Sequence, residues 1–394
     1  MSKHFSLHRM VSALIFALVF IYPLRLSAQD DSCHIRISLL TASPGEELYS
    51  TFGHSAIRVT DTVSHTDIVY NYGTFNFDDP NFYTKFIRGK LLYYISSDEA
   101  SSFMQEYIAE NRSVTEQVLN LTCEEKTGLA DFLQKNLSGE NRFYKYDFLF
   151  DNCTTRLRDA IEKTTDKTVH FGNVLTSKKT FRDLIHWYLN RNNMPWSKLG
   201  IDILLGKPTD AAMSNYQVMF LPEYLMKTMD SSSLDGRPLV LSKKEIIGAQ
   251  QSPGAWNYFT DPLFIFSVLF VLIVLLSFLK SSFVKRMLIA FDGFIYFVTG
   301  LLGILLLFMW FGTDHIVCRD NFNLLWAWPT NVIAAFYIHS KKRPGTRYFM
   351  IYTAGLALLL LAWFFLPQNL NASLIPVVAI IIFRTILYLS KEKL

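Results

Sequence analysis

Charge is scarce in this sequence, and it is unevenly spread. Only 18% of the 394 residues are charged, and the formal net charge is +4. Charged side chains are frequent up to about Lys244 and sparse beyond Asp261. No basic stripe with interleaved aromatics runs through the chain, which removes the electrostatic footprint of a nucleic-acid binder. Cysteine is scarce as well. Cys33, Cys123, Cys153 and Cys318 are far apart, with no zinc-type spacing, so neither a structural metal nor another cofactor is expected. The long apolar runs of the C-terminal third leave only short loops between them. There is no room there for a signalling domain.

What is present divides the chain in two. Half of all residues are hydrophobic, and the second half holds most of the continuous apolar sequence, as a membrane domain would. At the N-terminus, Lys3, His4 and Arg9 precede an apolar run over residues 11–22 and the small-residue pattern Leu26-Ser27-Ala28. That is the form of a secretory signal peptide cut after Ala28. The expected organisation is a signal peptide over 1–28, an exported domain over 29–250 and a membrane domain over 251–394. Cys33 follows Asp-Asp-Ser, a poor lipidation context. Cys33 and Cys123 could pair after export, a question that spacing leaves open.

Five apolar stretches follow Asp261, over residues 262–279, 287–310, 324–338, 348–365 and 374–389. Most approach the roughly 17–25 residues that span a bilayer. The third is short and begins in Trp-Ala-Trp-Pro, as an interfacial end would. Lys280, Lys285 and Arg286 lie between the first two stretches. Lys341, Lys342, Arg343 and Arg347 lie between the third and fourth, and Lys391 and Lys393 near the last residue. The positive-inside rule makes those loops cytoplasmic. The first stretch then starts outside, on the side where a signal peptide would deliver the large domain. The expected location is the bacterial inner membrane, multi-pass, with the large domain in the periplasm. Asp292 and Arg384 fall near predicted cytoplasmic ends and read as snorkelling or helix-pairing residues. Asp314, His315 and Arg319 fall in an outer loop that could face the exported domain.

Within the exported half, residues 34–41 and 114–121 read as strands, and 48–52 as a short helix or strand. Residues 55–59 and 67–72 alternate with period two and read as a hairpin that starts at His54 and closes at Gly73. Residues 99–110 and 124–137 read as amphipathic helices. Asp151-Asn152 is a good N-cap pair ahead of Leu157, Ala160 and Ile161 at helical spacing, so Cys153 should sit in the first turn of a helix. There the helix dipole and the free N–H groups lower a thiol pKa and favour an anion. Residues 200–225 read as helices packing back over the core.

A thiol at a helix start with an imidazole at a strand edge is the papain-type arrangement of nucleophile and base. Here His54 precedes Cys153 by about a hundred residues, the reverse of papain's order. That order fits the circularly permuted, NlpC/P60-like branch, an α+β domain in which the strand carrying His comes before the Cys helix. The plain alternative is a small buried Cys and a hydrogen-bonded strand His. Asn71, with Asp67 and His65 as weaker choices, is the candidate to orient the imidazole. The Cys153 backbone N–H and Asn152 are candidates for an oxyanion site. Arg58, Arg156 and Arg158 are candidates for a phosphate head group, or plain surface ion pairs.

These residues resemble a known family. The run from Leu48-Tyr49-Ser50-Thr51-Phe52-Gly53-His54 to Val59, the run Tyr70-Asn71-Tyr72-Gly73-Thr74-Phe75-Asn76-Phe77, then Asn152-Cys153-Thr154-Thr155 and Phe220-Leu221-Pro222-Glu223 resemble the periplasmic domain of the Bacteroides-type lipoprotein N-acyltransferase family, Lnb. The five C-terminal stretches resemble its five-helix membrane domain. The Asn-Cys pair is also similar to the lecithin:retinol acyltransferase branch of the permuted fold. The resemblance implies that a phospholipid donates an acyl chain to Cys153. A diacylated lipoprotein then takes the chain on its free α-amine, with His54 as the second family residue. Two other readings stay in view: a membrane-anchored cell-wall peptidase or amidase of the NlpC/P60 type, and a non-enzymatic sensor or transport subunit.

Overall fold

The computed structural model describes residues 33–165, 168–249, 258–340 and 345–390. The expected signal peptide and most of the linker around residue 250 lie outside them.

The exported part is built on seven antiparallel strands in the order β10-β5-β1-β2-β3-β4-β6. They are β1 (Ile35–Ala42), β2 (His54–Asp61), β3 (Thr66–Thr74), β4 (Leu92–Glu99), β5 (Val114–Leu119), β6 (Phe143–Lys145) and β10 (Val240–Ile247). Three two-residue strands, β7 (Val169–His170), β8 (Ser233–Leu234) and β9 (Arg237–Pro238), form a small second sheet. The helices are α1 (Phe82–Ile87), α2 (Ala100–Ala109), α3 (Cys123–Asn136), α4 (Cys153–Thr164), α5 (Phe181–Arg191), α6 (Pro195–Leu204) and α7 (Pro222–Asp230).

Successive strand residues point to opposite faces, and both faces are covered. Ile37, Leu39, Ile57 and Tyr70 pack with Leu157 and Ile161 of α4. Their neighbours Leu40, Ala56 and Val69 pack with Phe103 and Tyr107 of α2. A disulfide between Cys33 and Cys123 ties the start of β1 to the start of α3.

Three features differ from expectation. Residues 48–52 form turns, neither helix nor strand. The Ser50 and Thr51 hydroxyls both donate to the Glu47 carbonyl, at 3.0 Å each, and so hold the turn closed. Strand β10 was not foreseen. It reads Leu-Ser-Lys-Lys-Glu over most of its length, and at the sheet edge such charged side chains block further pairing. The third apolar stretch is α-helical only over Asn331–Tyr337 among the described residues. The C-terminal part holds five α-helices among the described residues: α8 (Pro262–Ser277), α9 (Ser282–Phe311), α10 (Asn331–Tyr337), α11 (Thr346–Ala362) and α12 (Ile375–Ser390). Three helical segments, 282–311, 346–365 and 372–390, are long and apolar enough to cross a membrane, and α8 is a shorter apolar helix.

The seven residues of α10 follow a non-helical run through Pro329, which lacks an N–H. That run lies against α9 where a Cβ on Gly303 would meet the Ala327 carbonyl at 2.1 Å, so only glycine admits the backbone there. The freed Trp326 carbonyl accepts from the Tyr352 hydroxyl at 2.5 Å, as an apolar setting requires. Deeper in the bundle, Arg384 of α12 donates to both oxygens of Asp292 on α9, at 2.7 and 2.6 Å, and to Ser277 of α8 at 2.9 Å. His339 meets the same carboxylate at 2.8 Å. Asp292 and Arg384 are thus partners of each other.

The two parts are fastened at one buried guanidinium. Arg182 of α5, 1% exposed, donates to Asp202 at 2.7 Å, Asp210 at 2.9 Å and Thr209 at 2.7 Å, and to the carbonyls of Leu205 and Gly206. Asp202 in turn accepts from Asn371 at 2.8 Å, and Asp210 from the Asn369 backbone at 3.1 Å, both in the loop between α11 and α12. Asn321 donates to the Ile203 and Leu204 carbonyls. Both outer loops therefore lie against the exported domain, and Lys280, between α8 and α9, lies at the other end of those helices.

Removing one partner strands a buried charge, a loss of about 3–5 kcal/mol. Arg182→Ala should lower the thermal unfolding midpoint of the detergent-solubilised protein well below that of Lys178→Ala, a change to an exposed lysine ahead of α5. Equal midpoints would refute the assigned role.

Candidate functional site

The chain around Cys153 is set by local hydrogen bonds. Residues 147 and 151 exchange backbone bonds at 3.0 and 2.9 Å, and the Asp147 carboxylate accepts from the Leu149 and Phe150 N–H groups. This closed loop delivers Asn152 to the N-cap. Its Oδ1 accepts from Thr154 N at 2.8 Å and Thr155 N at 2.9 Å, and Thr155 Oγ1 accepts from the Asn152 N–H at 2.8 Å. The result is a reciprocal capping box with Cys153 as the first helical residue. Helix α4 packs on β2 and β3. Gly73, at φ 94°, takes a backbone conformation there that side-chain-bearing residues rarely adopt.

The same packing brings His54, the first residue of β2, to the thiol. Its Nε2 donates to the Asn71 side-chain oxygen on β3, which leaves Nδ1 for the sulfur. Cys153 is 9% exposed. Burial alone would push its thiol up. The His54 charge and hydrogen bond overcome that, helped by the Thr154 hydroxyl and the Ser55 backbone, and hold the thiol below its ordinary value of 9.0. Burial likewise pushes the His54 imidazole down. The Cys153 thiolate and the Asn71 hydrogen bond outweigh it and hold His54 above 6.5. Each shift has the other group as its chief favourable cause, so each favours the charged form of its neighbour.

A cavity of about 420 Å³ opens beside the sulfur. Its wall includes the aromatic rings of Phe52, Phe75, Tyr93, Tyr146 and Phe148. Tyr93 and Tyr146 stack at 4.4 Å. Burial pushes the Tyr93 phenol up to about 12 and Tyr146 well above its ordinary value, so both line the cavity as neutral rings. The far wall comes from the membrane half: His315 and Val317 of the loop after α9.

The structure thus brings together Cys153, His54 and Asn71. Asn152 adjoins the cavity, but its amide hydrogens go to the Phe148 and Phe220 carbonyls at 2.7 and 2.8 Å. It shapes the helix start and has no donor left for an oxyanion. Arg58 is taken up by Asp67 and Glu116, and Arg156 by both oxygens of Asp151 while it lies 3.7 Å over the Tyr144 ring. Arg158 donates to Asp159 and the Tyr216 carbonyl. The three arginines stand apart from the cavity and are held in ion pairs. Sequence reasoning missed the aromatic wall, because β4 and the loop at Tyr146–Phe148 carry no periodic signal that aims them at Cys153. Among the described residues, no group of three or more His, Cys, Asp or Glu side chains could hold a metal ion.

Fold and site together define a membrane protein whose exported α+β domain carries a Cys–His–Asn cluster over a bundle of apolar helices. Residues 23–186 match the family model described as the Lnb N-terminal periplasmic domain, and residues 255–393 the one described as the Lnb transmembrane domain. The chain belongs to the Lnb family. No curated protein and no solved structure matched it.

The ion pair has a pH signature. Acid protonates the sulfur, so alkylation of Cys153 by iodoacetamide should fall with a midpoint below 9.0, the ordinary thiol value. His54→Ala removes the cation from a buried anion and should move that midpoint upward. Cys318, pushed up to about 12 by burial and by Asp147, should stay unlabelled at neutral pH. Mass spectrometry of the labelled peptides reads all three. A Cys153 midpoint of 9 or above, unchanged by His54→Ala, would remove the pair.

Proposed function

We propose that this chain is an apolipoprotein N-acyltransferase of the bacterial inner membrane, with its large domain in the periplasm. It moves an acyl chain from a phospholipid, through a Cys153 thioester, to the α-amine of a lipoprotein's diacylglyceryl-cysteine. The observation that carries this reading is the combination at one place: a thiolate–imidazolium pair, an apolar cavity beside it and a cavity wall supplied by the membrane half.

In the first half-reaction the Cys153 sulfur attacks the carbonyl carbon of a phospholipid ester. The developing oxyanion lies at the start of α4, where the Cys153 backbone N–H and the helix dipole favour it. The ester C–O bond breaks, and the His54 imidazolium gives its proton to the departing glycerol oxygen. A lysophospholipid leaves. In the second half-reaction the neutral α-amine attacks the thioester carbon and His54 takes the proton that the nitrogen sheds. The C–S bond breaks, the amide departs and Cys153 returns as thiolate. Asn71 holds the imidazole with Nδ1 toward the sulfur throughout, the role of the third member of a triad. Aminolysis competes with hydrolysis, so a cavity walled by apolar and aromatic side chains suits the intermediate.

A cell-wall peptidase of the same superfamily would use the same Cys and His. It has no use for an apolar cavity against a membrane loop, and it would release peptides from peptidoglycan without lipid chemistry.

Purified protein incubated with phospholipid and a diacylated lipopeptide should give the N-acylated lipopeptide and lysophospholipid by mass spectrometry. Cys153→Ala should abolish both products. His54→Ala should lower the rate by about 10²–10⁴-fold, the usual worth of a positioned acid–base group. Undiminished product from Cys153→Ala would end the thioester mechanism.

A further inference from the structure

The segment joining β3 to β4, residues 75–91, is the least soluble-looking surface of the exported domain. Phe77 is 69% exposed, Tyr83 74% and Phe86 50%, with Ile87 beside them. Such a cluster of large apolar side chains on one short element marks an interaction surface. Its place in the molecule identifies the partner. The Asp314 N–H donates to the Arg88 carbonyl at 3.0 Å, and His315 Nε2 meets the Phe86 carbonyl at 3.1 Å. Both belong to the loop that begins immediately after α9, whose last residue is Phe311. The 30 residues of α9 make about 45 Å of helix, more than the hydrocarbon core of about 30 Å. Its outer end therefore stands at head-group level, and residues 75–91 stand with it.

The segment is also joined to the thiol. Phe77 packs on Phe75 at 4.9 Å, Phe75 on Tyr93 at 5.3 Å and Tyr93 on Tyr146 at 4.4 Å. Phe75, Phe86, Tyr93 and Tyr146 all line the cavity that holds Cys153. A continuous aromatic wall thus runs from the exposed rim to the sulfur. Arg88 and Lys90 are exposed at the same rim, where cations meet lipid phosphates.

We propose that residues 75–91 are a membrane-interface element, seated among outer-leaflet lipids, whose aromatic face is the doorway through which a lipid acyl chain passes sideways from the leaflet to Cys153. The lipid contact stands on geometry alone, and what passes through the doorway rests on the acyltransfer reading above. Aromatic side chains prefer this depth of a bilayer. A lateral path spares the acyl chain a passage through water, which is unfavourable for every CH₂ exposed.

The test places a photo-crosslinking residue in the full chain, as Tyr83→p-benzoylphenylalanine, in nanodiscs of phosphatidylethanolamine and phosphatidylglycerol. The control is Val63→p-benzoylphenylalanine, equally exposed at the opposite end of β2 from His54. Irradiation should give lipid adducts at position 83 and not at 63. In a second arm, Tyr83→Glu combined with Phe77→Glu should cut acyl transfer from nanodisc phospholipid tenfold or more. Alkylation of Cys153 by soluble iodoacetamide should stay at the parent rate, which a damaged site would not allow. Lipid adducts no more abundant at 83 than at 63 would overturn the proposal, as would alkylation falling in step with transfer. Failure of the acyltransfer reading would appear separately, as no Cys153-dependent product from the parent protein.

Discussion

The coupling between Cys153 and His54 is the interaction on which the rest of the site depends. A thiolate in an aromatic cavity is unstable by itself, because burial disfavours the charged form. The imidazolium reverses that balance for the sulfur, and the sulfur does the same for the imidazolium. The pair needs three elements held in register. Helix α4 must begin at Cys153, which the Asn152 cap ensures. Strand β2 must begin at His54, and β3 must place Asn71 beside it. Antiparallel pairing of β2 with β3, with α4 packed across both, satisfies all three at once.

The membrane half completes this arrangement and does more than tether it. Arg182, Asp202 and Asp210 bind the loop between α11 and α12, while Asn321 and Asn323 reach back to α6 carbonyls. These bonds hold the loop after α9 against the exported domain, and that loop supplies His315 and Val317 to the cavity. A buried, multiply bonded guanidinium gives fixed geometry more reliably than net stability. Fixed geometry is the requirement here, since the cavity has walls from both halves of the chain.

Much of this was legible in the residues. Period-two alternation gave the hairpin of β2 and β3, and the Asp-Asn pair before spaced apolar residues gave the helix start at Cys153. The basic loops gave the sidedness that the contacts of the outer loops agree with. Local signals failed where long-range packing decides. Residues 324–338 look like one continuous span by composition, yet Pro329 and the close approach at Gly303 break the helix over residues 326–330. Arg58, Arg156 and Arg158 read as phosphate contacts or plain surface ion pairs, and the fold engages them with Asp67, Asp151 and Asp159. Asn152 looked like a spare donor, and the cap and two carbonyls consume it. The rest of the aromatic wall was invisible for the same reason: nothing near Tyr93 in the chain refers to Cys153.

The central claim is that the cavity protects an acylated thiol from water until an amine arrives. The most direct measurement is the fate of the acyl-enzyme formed from phospholipid in nanodiscs, followed by intact mass. Without acceptor, the acyl group should remain on Cys153. On addition of a diacylated lipopeptide it should disappear, with stoichiometric gain of the N-acyl product. Release as free fatty acid, at a rate that the lipopeptide does not change, would contradict the account.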